Sequence, residues 1–120
     1  MPTLYLLPSC KTCQRIRQAV EPAGTWAVRD IKSEPLTESE VDAFAKQAGS
    51  YEALFSRRAM LYRQRGLSEQ SLTEADFKRL LLEHYTFLKR PVLQVGDALF
   101  VGSSKKAVEG ALAALSDARA

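Results

Sequence analysis

The sequence predicts an α/β fold on three observations. A short apolar run from Thr3 to Leu7 is rich in strand formers and closed by Pro8, the signature of a buried strand. Directly after it, Cys13, Ile16 and Val20 recur at helical spacing until Pro22 and Gly24 end the segment. Towards the other end, VLQV and ALFV are two apolar runs joined by Gly96 and Asp97, residues suited to a tight hairpin.

The remaining elements follow in order. Trp26 to Ile31 alternates weakly and is β-prone; reached through a helical crossover, it is expected to lie parallel to the first strand. Thr37 with Glu40 forms a capping-box pattern, and Val41, Phe44, Ala45 and Ala48 give the following helix an apolar stripe that ends at Gly49. Tyr51 to Phe55 and Ala59 to Arg65 read as two short helices, the second ending near Gly66. Thr73 to Tyr85 opens on a capping threonine and carries Phe77, Leu80, Leu81 and Tyr85 on one side. After the hairpin, Gly102 and Ser103 lead to a last helix from Ser104 to about Leu115, with Ala107, Val108, Ala111, Leu112 and Leu115 facing inward. The order βαβ, helices, ββα is a thioredoxin-like layout. We expect one domain over residues 1–120, with a helical insertion at about 36–88 between its halves.

Hydrophobic residues at 46% and charged residues at 26% are ordinary globular values, which exclude a disordered chain and a disulfide-dense scaffold. No basic region precedes the first apolar run, and the run is too short for a signal peptide or a membrane span, so a cytoplasmic location is expected. The net charge of +3 is mild. Its excess falls on Arg57, Arg58, Arg63 and Arg65 and on Lys89, Arg90, Lys105 and Lys106. Such residues attract anions or form solvated surface, and the balance does not point to nucleic acid or a membrane.

The two cysteines of "PSCKTC" admit three readings: a redox pair, part of a metal site, or two small core residues. A thiolate is the nucleophilic form, and a helix N-terminus, where Cys10 stands, favours it through the helix dipole and unpaired N–H groups. Cys13, three residues on, faces the same side one turn later, within reach of a disulfide. Cys10 can then attack and Cys13 resolve, or Cys10 can sense oxidants by passing through sulfenic acid. Structural zinc needs about four ligands, whereas the chain offers these two cysteines and a single histidine, His84, which is expected inside a helix. A buried Cys13 fits the core reading better than Cys10 does. Arg90, just before Pro91, is the second feature: an X-Pro bond is the usual place for a cis peptide, and the guanidinium can hold a thiolate or an oxyanion.

The stretches "TLYLLPSCKTCQRIR", "IKSEPLTESEVDAF" and "LKRPVLQVGDALFVG" together resemble the arsenate-reductase-like (ArsC) family, including its Spx-type redox regulators. The resemblance implies a thioredoxin-like fold with a helical insertion, with Cys10 as nucleophile and Arg90 as a ligand of the oxyanion. A further arginine in the helical middle is best matched by Arg58, with Arg57 adjacent. The family's reductases also carry an arginine just past the last strand, where this chain has Gly102. The implied activity is thiol-dependent reduction of an arsenate-like oxyanion or a disulfide, with substrate at Cys10, Arg58 and Arg90 and a redox disulfide between Cys10 and Cys13. Glutathione or glutaredoxin is the implied electron donor, without a bound cofactor or metal. The alternative is a redox-sensing transcriptional regulator that binds the C-terminal domain of the RNA polymerase α subunit near a glycine resembling Gly49.

Overall fold

The computed structural model describes residues 1–119, and these form two compact units, residues 1–34 with 90–119, and Pro35–Lys89.

The first unit holds β1 (Thr3–Leu6), α1 (Lys11–Val20), β2 (Ala27–Asp30), β3 (Val92–Val95), β4 (Ala98–Val101) and α5 (Lys105–Arg119). The strands form one sheet in the order β2-β1-β3-β4. β1 runs parallel to β2, as its helical crossover requires, and antiparallel to β3, which pairs antiparallel with β4. Side chains alternate between faces along a strand. Leu4 and Leu6 of β1 and Leu93 and Val95 of β3 accordingly share a core with Cys13, Ile16 and Val20 of α1, Ala111 and Leu115 of α5, and Trp26. The buried Trp26 indole donates to the Val20 carbonyl at 3.0 Å, so its polar edge is satisfied where α1 gives way to β2. Between β3 and β4, Gly96 has φ +58°, while among the described residues no non-glycine residue has positive φ. That combination is the type II′ hairpin, which matches the strand twist.

One contact on α5 had no warning in the apolar stripe. A Cβ added to Gly110 would lie 2.6 Å from a Phe100 ring carbon, so this glycine lets the helix approach β4 closely.

The second unit contains α2 (Glu38–Ala48), α3 (Met60–Gln64) and α4 (Glu74–Glu83). Both α2 and α4 start with a capping box, Thr37 with Glu40 and Thr73 with Asp76, in which side chain and backbone satisfy each other's free N–H groups. Phe55 is the hub of the core, stacked on Phe87 at 5.3 Å and tilted against Phe77 at 4.9 Å.

The short helix expected over Tyr51 to Phe55 is a 3₁₀ turn at Glu52–Leu54, and Glu74 accepts the N–H groups of Tyr51 (2.7 Å) and Glu52 (3.1 Å) at its start. Two expectations need correction. His84 is not inside a helix: it is the extended C-cap of α4, and its Nδ1 accepts the Thr86 N–H at 3.0 Å. That bond starts a 3₁₀ turn over Tyr85–Phe87, which takes Tyr85 out of the α4 stripe. The last helix runs to Arg119, beyond the expected Leu115.

Candidate active site at the cysteine turn

β1 ends at Leu6, and the chain turns sharply into α1. The Cys10 N–H donates to the Leu7 carbonyl at 3.0 Å, which closes a β-turn with Pro8 and Ser9 at its centre. Proline suits the first central position because its φ is already fixed near the required value. Cys10 is then the N-cap of α1, with extended backbone at φ −82° and ψ 121°, and its carbonyl accepts the Gln14 N–H at 3.0 Å.

The N–H groups of the first helical turn have no partner inside the helix. Those of Thr12 and Cys13 face the Cys10 sulfur without completing a cap hydrogen bond. Burial pushes the Cys10 thiol up, but these two N–H groups, the Cys13 thiol and the Arg90 guanidinium together outweigh it, so its pKa lies below the ordinary thiol value. Cys10 remains partly exposed, and both cysteines are free thiols.

Cys13 has the opposite environment. It is fully buried in the sheet-facing core, and burial, joined by the negative charge of Cys10, pushes its thiol up to about 11 despite the Leu7 N–H and Arg90.

Arg90 enters from the start of β3. The Arg90–Pro91 peptide is cis, and the arginine Nε is buried. Tyr5 of β1 pairs with Val92 of β3, and Val92 with Val101 of β4, so the exits of β1 and β4 and the entry to β3 lie at one end of the sheet. At that end the Gly102 N–H donates to the Pro91 carbonyl at 2.9 Å. Gly102 has φ +95°, a conformation that side-chain-bearing residues rarely adopt, which suits glycine at this place. The start of α5 is at the same end, where Ser104 Oγ caps the Ala107 N–H at 3.1 Å.

Cys10, Cys13 and Arg90 are thus brought together within the sheet unit. Arg58 belongs to the helical unit, exposed in the turn before α3, where its N–H donates to Ser56 Oγ at 3.3 Å. Its neighbour Arg57 is committed elsewhere: it pairs with Glu52 at 2.6 Å and lies over the Phe77 ring. Gly49, with φ +103°, is the exposed C-cap of α2. Among the described residues, no three His, Cys, Asp or Glu side chains gather as a metal site, and no helix is long and apolar enough to cross a membrane.

Chemically, a partly exposed thiol of lowered pKa beside a cation and a buried thiol one turn away can attack an electrophilic centre, hold negative charge and exchange sulfur bonds. The chain is 30% identical over 104 residues to the global transcriptional regulator Spx of Bacillus subtilis, spanning 85% of this chain and 79% of that protein. Among solved structures, an arsenate reductase (ArsC) related protein from Brucella melitensis is 26% identical with a TM-score of 0.69, over 91% of this chain and 92% of its own. An arsenate reductase from Vibrio cholerae superposes with a TM-score of 0.76 at 16% identity, over 93% of this chain and 95% of its own. The cysteine turn and the arginine entering β3 fall within residues 5–111, the stretch that matches the ArsC family profile, and the chain belongs to that family.

Proposed function

We propose that the protein is a thiol-dependent oxidoreductase in which Cys10 is the nucleophile, Cys13 the resolving thiol, and Arg90 the cation that steadies the thiolate and an oxyanionic substrate. The observation that carries this reading is the asymmetry of the pair: Cys10 is partly exposed with a lowered pKa, and Cys13 is buried with a raised one.

In the first step the Cys10 thiolate attacks a sulfur of an oxidised thiol, and the departing thiolate takes the bonding electrons. With an arsenate-like oxyanion it attacks arsenic, and one oxygen leaves as water after protonation. Adduct formation removes the Cys10 charge, one of the causes that raise Cys13, which eases deprotonation of the second thiol. Attack of Cys13 on the Cys10 sulfur then forms the internal disulfide and leaves an electron pair with the expelled group, reducing arsenic(V) to arsenic(III). Glutathione or glutaredoxin reopens the disulfide by exchange, supplying two electrons. Arg58 is assigned to the oxyanion through the family resemblance.

Arsenate-dependent NADPH consumption, coupled through glutathione, glutathione reductase and glutaredoxin, tests the reading. Wild type should turn over, whereas Cys10→Ser should be inactive and Arg90→Ala strongly impaired. Absence of turnover in wild type with both arsenate and a small disulfide contradicts it.

The identity to a transcriptional regulator supports a second reading, a redox switch that binds the C-terminal domain of the RNA polymerase α subunit through the surface around Gly49. An affinity for that domain that changes between the dithiol and disulfide forms, without turnover, would favour it.

A further inference from the structure

We propose that Gln14 is the positioning residue of the Cys10 nucleophile, holding the Pro8–Ser9–Cys10 turn against the first turn of α1 from both of its ends. Its Nε2 donates to the Pro8 carbonyl at 2.8 Å, and its backbone N–H donates to the Cys10 carbonyl at 3.0 Å. One residue therefore grips the turn before and at the nucleophile.

Only the backbone half of this grip is required by the helix, because any residue four beyond the N-cap donates its N–H there. The side-chain half is specific to a residue with a long side chain and a donor at its end. Pro8 and Ser9 are exposed, and their shared peptide is the central one of the turn. Rotation of that peptide carries Cys10 with it and changes the angle at which its sulfur meets the N–H groups of Thr12 and Cys13. Fixing the Pro8 carbonyl thereby fixes the sulfur over the helix N-terminus, where small displacements matter because the dipole's effect falls off within one turn. Gln14 is itself exposed on the outer side of α1 and packs in no core, so its amide has little purely structural work at this place.

This inference rests on Cys10 being the activated nucleophile, and the test separates the two ideas. The rate of Cys10 carbamidomethylation is followed by mass spectrometry from pH 5 to pH 10 in wild type, Gln14→Met and Gln14→Ala. Methionine keeps the length without a donor, and alanine favours the helix. Both variants should remain folded by circular dichroism and move the Cys10 titration midpoint up by about half a pH unit, lowering the rate at pH 7 about threefold, as expected when the sulfur is held less well over the N–H groups of the first helical turn. A midpoint unchanged in both variants, whatever their melting temperatures, overturns the role of Gln14. A wild-type midpoint at the ordinary thiol value overturns the nucleophile reading and this inference with it.

Discussion

Cys10 and Cys13 stand one helical turn apart with opposite proton affinities, the first lowered at the N-terminus of α1 and the second pushed up to about 11 in the core. The difference arises chiefly from position: the N-cap brings its side chain to unpaired N–H groups, with Arg90 and the Cys13 thiol adding to the effect, and the position three residues on turns inward.

The first consequence is selective reactivity. At pH 7 an alkylating agent should modify Cys10 at least tenfold faster than Cys13 in the folded protein, with the difference lost in denaturant. Peptide mapping after brief labelling measures it, and equal slow rates for both thiols would contradict the assigned environments.

Cys13 should also make stability pH-dependent. Burial pushes its thiol from the ordinary value of 9.0 up to about 11 in the folded protein, so the native state keeps the proton longer than the unfolded chain. Its contribution is complete below pH 9.0 and is lost as the pH rises towards about 11, a decline of roughly 1–3 kcal/mol. Urea unfolding of Cys10→Ser and of Cys10→Ser/Cys13→Ala across this range isolates the effect, since the second protein should lack that part of the slope.

Arg90 contributes to the low affinity of Cys10 for its proton. Arg90→Ala should move the Cys10 alkylation profile to higher pH and slow modification at pH 7 about three- to tenfold, while Arg90→Lys, which keeps the charge but not the guanidinium fork, should fall between. An unchanged profile in Arg90→Ala would remove the arginine from the site.

At Gly110 two effects oppose each other. Alanine gains about 1 kcal/mol of helix propensity, but its Cβ would approach the Phe100 ring to 2.6 Å. For Gly110→Val overpacking should dominate, with a loss of about 1–3 kcal/mol in chemical denaturation. Phe100→Leu should recover part of the loss in the double variant, and additive losses would show that the contact is not what constrains Gly110.

Much of the fold was legible because local pattern and global fold agree. VLQV and ALFV became β3 and β4 at their expected limits, and the placement of Cys10 at the start of a helix followed from Pro8 and the spacing of Cys13, Ile16 and Val20. His84 and Tyr85 were misplaced because hydrophobic periodicity continues through Tyr85, while a side-chain acceptor, His84 Nδ1, ends the helix. The close approach at Gly110 and the reach of Gln14 to Pro8 depend on tertiary distances, to which spacing in the sequence is blind. In the candidate site, the pair Cys10 and Cys13 and the arginine before Pro91 were readable from residue chemistry. The divergence of the two thiols was not, since it depends on burial.

The most direct test of attack by Cys10 and resolution by Cys13 is the intact mass of wild type and Cys13→Ser after reaction of the reduced proteins with glutathione disulfide. The account predicts a stable glutathione adduct on Cys10 in Cys13→Ser, and in wild type no lasting adduct but a Cys10–Cys13 disulfide. Failure of Cys13→Ser to form the adduct, or a lasting adduct on Cys10 in wild type, would contradict it.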